Sequence, residues 1–158
     1  MTNTPSSKVA LFADVAQRYC SWAEGSKLEV HADMVFARKI LAELHLTVLD
    51  LPDNCPGSDT EDRISHEMWK AVSTRFSDLP IDGYWDVFDP LIKDEPVFNT
   101  LRDDLSDIYR DLKEGLLLYG DGKIEEAIWE WRFNFTIHRG AHLTGAQRVI
   151  NAYFSNLL

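Results

Sequence analysis

Apolar residues return along this chain at intervals of three and four, the spacing of one helix face rather than the two-residue alternation of a half-buried strand. Phe12, Val15, Ala16, Tyr19, Trp22 and Ala23 predict a first helix over about Lys8–Glu24, with Gly25 as its stop. Val30, Met34, Ala37, Leu41, Leu44 and Val48 form a second stripe, over about Val30–Leu49, ended by Pro52. Ile64, Met68, Ala71 and Val72 predict a third helix over about Ile64–Ser77. A fourth spans about Thr100–Tyr119, with Asn99 or Thr100 as N-cap, Asp103 available for a capping contact, and Gly120 and Gly122 as stops. A fifth begins near Lys123, and its pattern continues almost to the C-terminus. Gly140 and Gly145 lie inside it, where each costs about 1 kcal/mol relative to Ala, so a kink, break or close helix crossing is expected there.

Between these elements the pattern lapses twice. Residues 52–63 combine Pro, Asp, Asn, Gly, Ser and Thr without apolar anchors and read as a surface loop. Its acids lack the ligand spacing and central Gly of an EF-hand loop. Residues 79–99 have no assignable course. The run Tyr84-Trp85-Asp86-Val87-Phe88-Asp89-Pro90 is expected to lock this connection onto the helices through its aromatic side chains, and no strand partner is visible for it. The fold class expected is all-α: one helical bundle of about five main helices over residues 1–158, with a frayed tail at 1–7 and a long last helix kinked near Gly140/Gly145.

Composition narrows the partners. The 158 residues carry 26 acids and 16 Lys or Arg, a formal charge of −10. Nucleic-acid affinity depends on cations that displace counterions from phosphates, so no nucleic-acid partner is expected, nor an anionic membrane. The N-terminal residues have no signal-peptide pattern and no stretch is apolar enough to span a bilayer, so the expected location is the cytoplasm. Cys20 and Cys55 stand on different segments without a CxxC or metal-ligand spacing. Cys20 reads as a small buried hydrophobe and Cys55 as an exposed thiol.

The fourth and fifth helices carry the chemistry. Projected at about 100° per residue, the fourth divides into three sectors. Leu101, Leu105, Ile108, Leu112 and Leu116 form the apolar one, Arg102, Arg110 and Lys113 a basic one, and Asp104, Asp107, Asp111 and Glu114 an acidic one, with Asp104 and Asp111 nearest the buried boundary. Clustered like charges repel, which calls for cations from another helix, a bound ion or a partner. On the fifth, Ile124, Ile128, Trp131, Phe135, Ala146, Val149 and Tyr153 share a face with His138 and His142, while Trp129, Phe133 and Ile137 form a second apolar stripe. A helix apolar on two sides is central to its bundle or shared with another subunit, so a homodimer is one expectation.

His138 and His142, four residues apart, can share a metal, and Asp104, Asp107 or Asp111 from a neighbouring helix could complete the site. Set against this is a structural role: two core-edge imidazoles hydrogen-bonded to acids or backbone. Neither Glu-x-x-His nor HExxH is present. His31 and His45 flank the apolar face of the second helix and could join the same environment, while His66 reads as a helix-start residue.

The segments Tyr84 onward through Leu101-Arg-Asp-Asp-Leu-Ser-Asp-Ile-Tyr-Arg-Asp-Leu-Lys-Glu-Gly115, with Trp129-Glu-Trp-Arg-Phe133 and His138-Arg-Gly-Ala-His142, resemble an uncharacterised bacterial family, the domain of unknown function numbered five thousand and sixty-three. The resemblance spans nearly the whole chain and implies an all-helical bacterial domain. It carries over no catalytic residues.

Two functions follow from the residues. The first is a non-enzymatic interaction or regulatory protein presenting an acidic helical surface to a basic protein partner, without a cofactor, Arg110 and the helix-four acids being the binding candidates. The alternative is a metal-dependent hydrolase using the helix-four carboxylates with His138 and His142 around a divalent metal. The paired Glu-x-x-Glu and Glu-x-x-Asp motifs of all-helical nucleotide pyrophosphatases are missing, as are a Gly-x-Ser-x-Gly elbow and a Gly-rich phosphate loop.

Overall fold

A computed structural model describes residues 6–55 and 62–158. The first five residues of the expected frayed tail and 56–61 of the expected loop lie outside that range. Ser6 is not frayed: its hydroxyl accepts from the Val9 N–H and caps α1 (Ser7–Glu24). The Glu29 carboxylate accepts from the His31 and Ala32 N–H groups and opens α2 (Val30–Val48). Ser65 caps α3 (His66–Arg75), shorter than the Ile64–Ser77 expected, with His66 as its first residue. Thr100 caps α4 (Leu101–Gly120) by accepting from the Asp103 N–H. The C-terminal half continues as α5 (Ile124–Asn134), a π-helical turn (Phe135–Arg139) and α6 (Gly140–Ser155).

α4 is the hub, packing against α1, α3, α5 and α6. Its face Leu101, Leu105, Ile108 and Leu112 is fully buried, so the expected stripe is the core. Two side chains pin its neighbours to its backbone. The Tyr19 hydroxyl donates to the Leu105 carbonyl at 2.8 Å, and the Trp131 indole N–H donates to the Leu112 carbonyl at 3.2 Å. The second contact exists because residue 115 is Gly: a Cβ there would lie 2.0 Å from the Trp131 indole nitrogen.

The last helix runs through Gly140 without interruption, and its irregularity is the π turn just before that residue. A Cβ on residue 140 would stand 2.4 Å from the Phe135 carbonyl oxygen, so the widened turn closes only onto glycine. Gly145 lies away from the π turn. Its missing side chain makes room for the Tyr84 hydroxyl, which a Cβ would approach to 2.4 Å.

Residues 79–99 depart from the sequence expectation. Tyr84–Asp86 (β1) pairs antiparallel with Val97–Asn99 (β2), Tyr84 opposite Asn99. The strand pairing was not visible in the sequence because its halves lie eleven or more residues apart and each is three residues long. The aromatics of this segment do not lock it down either. Tyr84 docks on the helices, while Trp85 and Phe88 face solvent. Of the second apolar stripe of the C-terminal half, Phe133 and Ile137 are likewise exposed, while Trp129, stacked on Phe133, is partly buried.

Candidate metal site between α4 and the π turn

Helical spacing puts Asp104, Asp107 and Asp111 on one flank of α4, and the packing of the C-terminal helices brings His138 and His142 onto that flank. Asp104 and Asp111 are 3% and 7% exposed, Asp107 about half-buried. The acid strip therefore faces inward, onto the imidazoles. Each ring uses its Nδ1 on a carboxylate: His142 Nδ1 lies 2.7 Å from Asp104 Oδ1, and His138 Nδ1 3.3 Å from Asp111 Oδ2. The two Nε2 atoms are left 3.0 Å apart, and Asp107 Oδ2 lies 3.6 Å from that of His142. One ligand atom each from Asp107, His138 and His142 falls within 4.8 Å of the others.

The carboxylates are held in their turn. Tyr84 donates to Asp104 Oδ2 at 2.6 Å. The Trp69 indole N–H donates to Asp107 Oδ1 at 3.0 Å, and Arg110 Nη2 lies 3.2 Å from the same oxygen. With Oδ1 occupied on two sides, Oδ2 is the atom turned to the histidines. Arg110 and Trp69 also line a neighbouring cavity of about 300 Å³ with Asp62, Ile64, Ser65 and His66.

This arrangement poses an electrostatic problem. Ionised carboxylates only accept hydrogen bonds, so both Nδ1 atoms carry their protons and neutral rings would aim two lone pairs at each other across 3.0 Å. With both carboxylates ionised, one additional proton or a metal ion between the two Nε2 atoms removes the conflict; with Asp104 protonated instead, His142 carries its proton on Nε2 and donates it to His138. His142 is raised above the ordinary imidazole range by its hydrogen bond to Asp104, against the lowering by burial. Burial raises the Asp104 carboxyl in spite of its bonds from His142 and Tyr84. Both directions say that this pair holds its proton firmly.

The residues read from the sequence thus converge, with their roles divided. Asp107, His138 and His142 turn their ligand atoms toward one another, Asp104 and Asp111 orient the rings, and Arg110 holds Asp107. His31 and His45 do not join them. His31 sits edge-on to Phe154, and His45 Nδ1 lies 3.1 Å from Gln147 Oε1. Tyr84 and Trp69 escaped the sequence reading, since nothing local links either to α4. Gly145, which admits Tyr84, was the nearest signal. Cys20 is buried with its thiol pushed well up by burial, and Cys55 is exposed, both as expected.

The profile of a domain of unknown function, DUF5063, matches residues 3–155. The chain belongs to the DUF5063 family. Among curated proteins no sequence matches this DUF5063 member. Its fold is similar to the crystal structure of protein BF1032 from Bacteroides fragilis, with a TM-score of 0.78 at 20% identity, over 92% of this chain and 91% of that one. At that identity the likeness establishes the all-helical fold of this family member. No helix among the described residues is long and apolar enough to cross a membrane.

Proposed function

We propose that this DUF5063 protein binds one divalent transition-metal ion through His138 Nε2, His142 Nε2 and Asp107 Oδ2, and uses it to hydrolyse a small anionic substrate. The observation that carries the reading is the pair of Nε2 atoms 3.0 Å apart on rings whose Nδ1 atoms already face Asp104 and Asp111. A metal-ligating His commonly gives its other ring N–H to a carboxylate, which sets the tautomer and makes the ligating nitrogen more basic. At a Zn–N length of about 2.1 Å, nitrogens at this separation subtend roughly 90° at a single ion. Imidazole with carboxylate suits Zn²⁺ and its first-row neighbours.

Three protein ligands leave positions for water and substrate, the arrangement of a hydrolytic rather than a purely structural site. The rims of His138 and Asp107 reach solvent, so a substrate has access. Arg110, beside Asp107 and on the wall of the adjoining cavity, is placed to take a substrate carboxylate or phosphate. The interaction reading that rests on the acidic face of α4 has less to stand on, because Asp104 and Asp111 point inward.

Elemental analysis of purified protein and calorimetric titration of chelated protein with Zn²⁺, Mn²⁺, Ni²⁺ and Mg²⁺ test the binding. The expected result is one site per chain for Zn²⁺, lost in His138→Ala and in His142→Ala. Hydrolysis of p-nitrophenyl phosphate and p-nitrophenyl acetate by the loaded protein, lost in the same variants, tests the activity. A chain that takes up none of the four ions has only a shared proton between its imidazoles, and the proposal is then wrong.

A further inference from the structure

The hairpin beside the metal site presents a second kind of chemistry. Between residues 85 and 98, Trp85, Phe88, Leu91, Ile92, Val97 and Phe98 are 42% to 93% exposed. Isolated exposed apolar side chains are ordinary, but six of them within one fourteen-residue segment mark a contact surface. The element is not loose. Its strands pair, Tyr84 is bonded to Asp104, Asp86 faces Arg148 at 3.7 Å, and the Trp85 and Phe98 rings meet edge-to-face at 5.3 Å. A preformed surface loses little entropy on docking.

Charge then selects the occupant. The same stretch carries Asp86, Asp89, Asp94 and Glu95 against Lys93 alone, on a chain of net charge −10. Acids interleaved with large apolar groups complement an apolar surface bordered by Lys and Arg, and they repel a second copy of this acidic chain and an anionic bilayer. We infer that the β1–β2 hairpin is a docking element for another protein, one that offers an apolar cleft with a basic rim. This function is separate from the metal site and stands without it.

A photo-crosslinking phenylalanine analogue placed at Phe88 or Leu91 of the full chain, and at the exposed Leu46 on α2 as a control, tests this in lysate of the native cell. The expected result is one discrete adduct from the two hairpin positions, absent at Leu46 and suppressed by charge reversal at Asp89, Asp94 and Glu95. Mass spectrometry then identifies the partner for titration with the purified chain. Phe88→Ala with Leu91→Ala should weaken binding at least tenfold, and raised salt should weaken it further. Both side chains are exposed, so an unchanged melting temperature certifies that the variant is folded. Adducts between two copies of this chain, co-flotation with phosphatidylglycerol vesicles through the hairpin, no hairpin-specific adduct, or binding indifferent to the substitutions would each overturn the inference.

Discussion

Asp33 shows how a charged residue survives in this core. Its carboxylate accepts from Arg75 Nη1 and Nη2, both at 2.8 Å, and from the Trp22 indole N–H at 2.9 Å. Burial would raise its carboxyl, but those bonds prevail and hold it below the ordinary range. Arg75→Ala would leave an uncompensated buried carboxylate, and urea unfolding is expected to show a loss of about 3–5 kcal/mol. Replacing both partners, Asp33→Leu with Arg75→Met, should cost clearly less, because no charge is then stranded. Around the proposed metal the roles are graded in the same way. His142→Ala removes a ligand and should abolish Zn²⁺ binding, whereas Asp104→Asn removes only what orients His142 and should weaken it roughly 10- to 100-fold. Equal effects in calorimetry would show that Asp104 does more than hold the ring.

At the scale of elements, the π turn matters most. In an ordinary α-helix Gly→Ala stabilises by about 1 kcal/mol. Gly140→Ala should do the opposite, since its Cβ meets the Phe135 carbonyl oxygen at 2.4 Å and backbone must move. The displacement reaches His138, which lies within the same turn. Gly120, the last residue of α4, has nothing within 4 Å of an added Cβ, so Gly120→Ala should be neutral or stabilising by up to about 1 kcal/mol. Opposite signs in guanidinium unfolding are expected, and a stable Gly140→Ala protein would mean that the wide turn is not enforced at that position.

The molecule as a whole is tied together partly through α4 carboxylates, and this sets a pH dependence. Glu114 Oε1 accepts from the backbone N–H groups of Arg63 and Ile64, both at 2.6 Å, anchoring the segment before α3. Burial first, and the Asp62 carboxyl next, push Glu114 up to about 7, while the two N–H bonds pull downward. An unfolded Glu titrates near 4.5, so between pH 4.5 and 7 the native chain binds the additional proton. Stability contributed by this group is therefore complete below pH 4.5, declines as pH rises through 7 and is flat above it. Glu114→Gln cannot titrate and should show a smaller loss of unfolding free energy from pH 5 to pH 7.5 than the parent. Identical slopes would remove Glu114 as the source.

The helices were legible in the residues because a 3.6-residue repeat is a local property, set by which side chains one short segment must bury together. The same arithmetic placed His138 and His142 on one face and set Asp104 and Asp111 at the buried edge of α4. It could not say that Asp107, rather than its neighbours, would offer a free oxygen to the imidazoles. That follows from Trp69 of α3 and Arg110 taking its other oxygen, and from how α6 crosses α4. Tyr84 reaches Asp104 only because a hairpin closes over eleven or more residues and Gly145 leaves room for its ring. The amino-acid order by itself decided the helices, their greasy faces and the acidic excess. Packing alone decided which polar groups meet, since that depends on crossing angles and strand pairing between segments far apart in the chain.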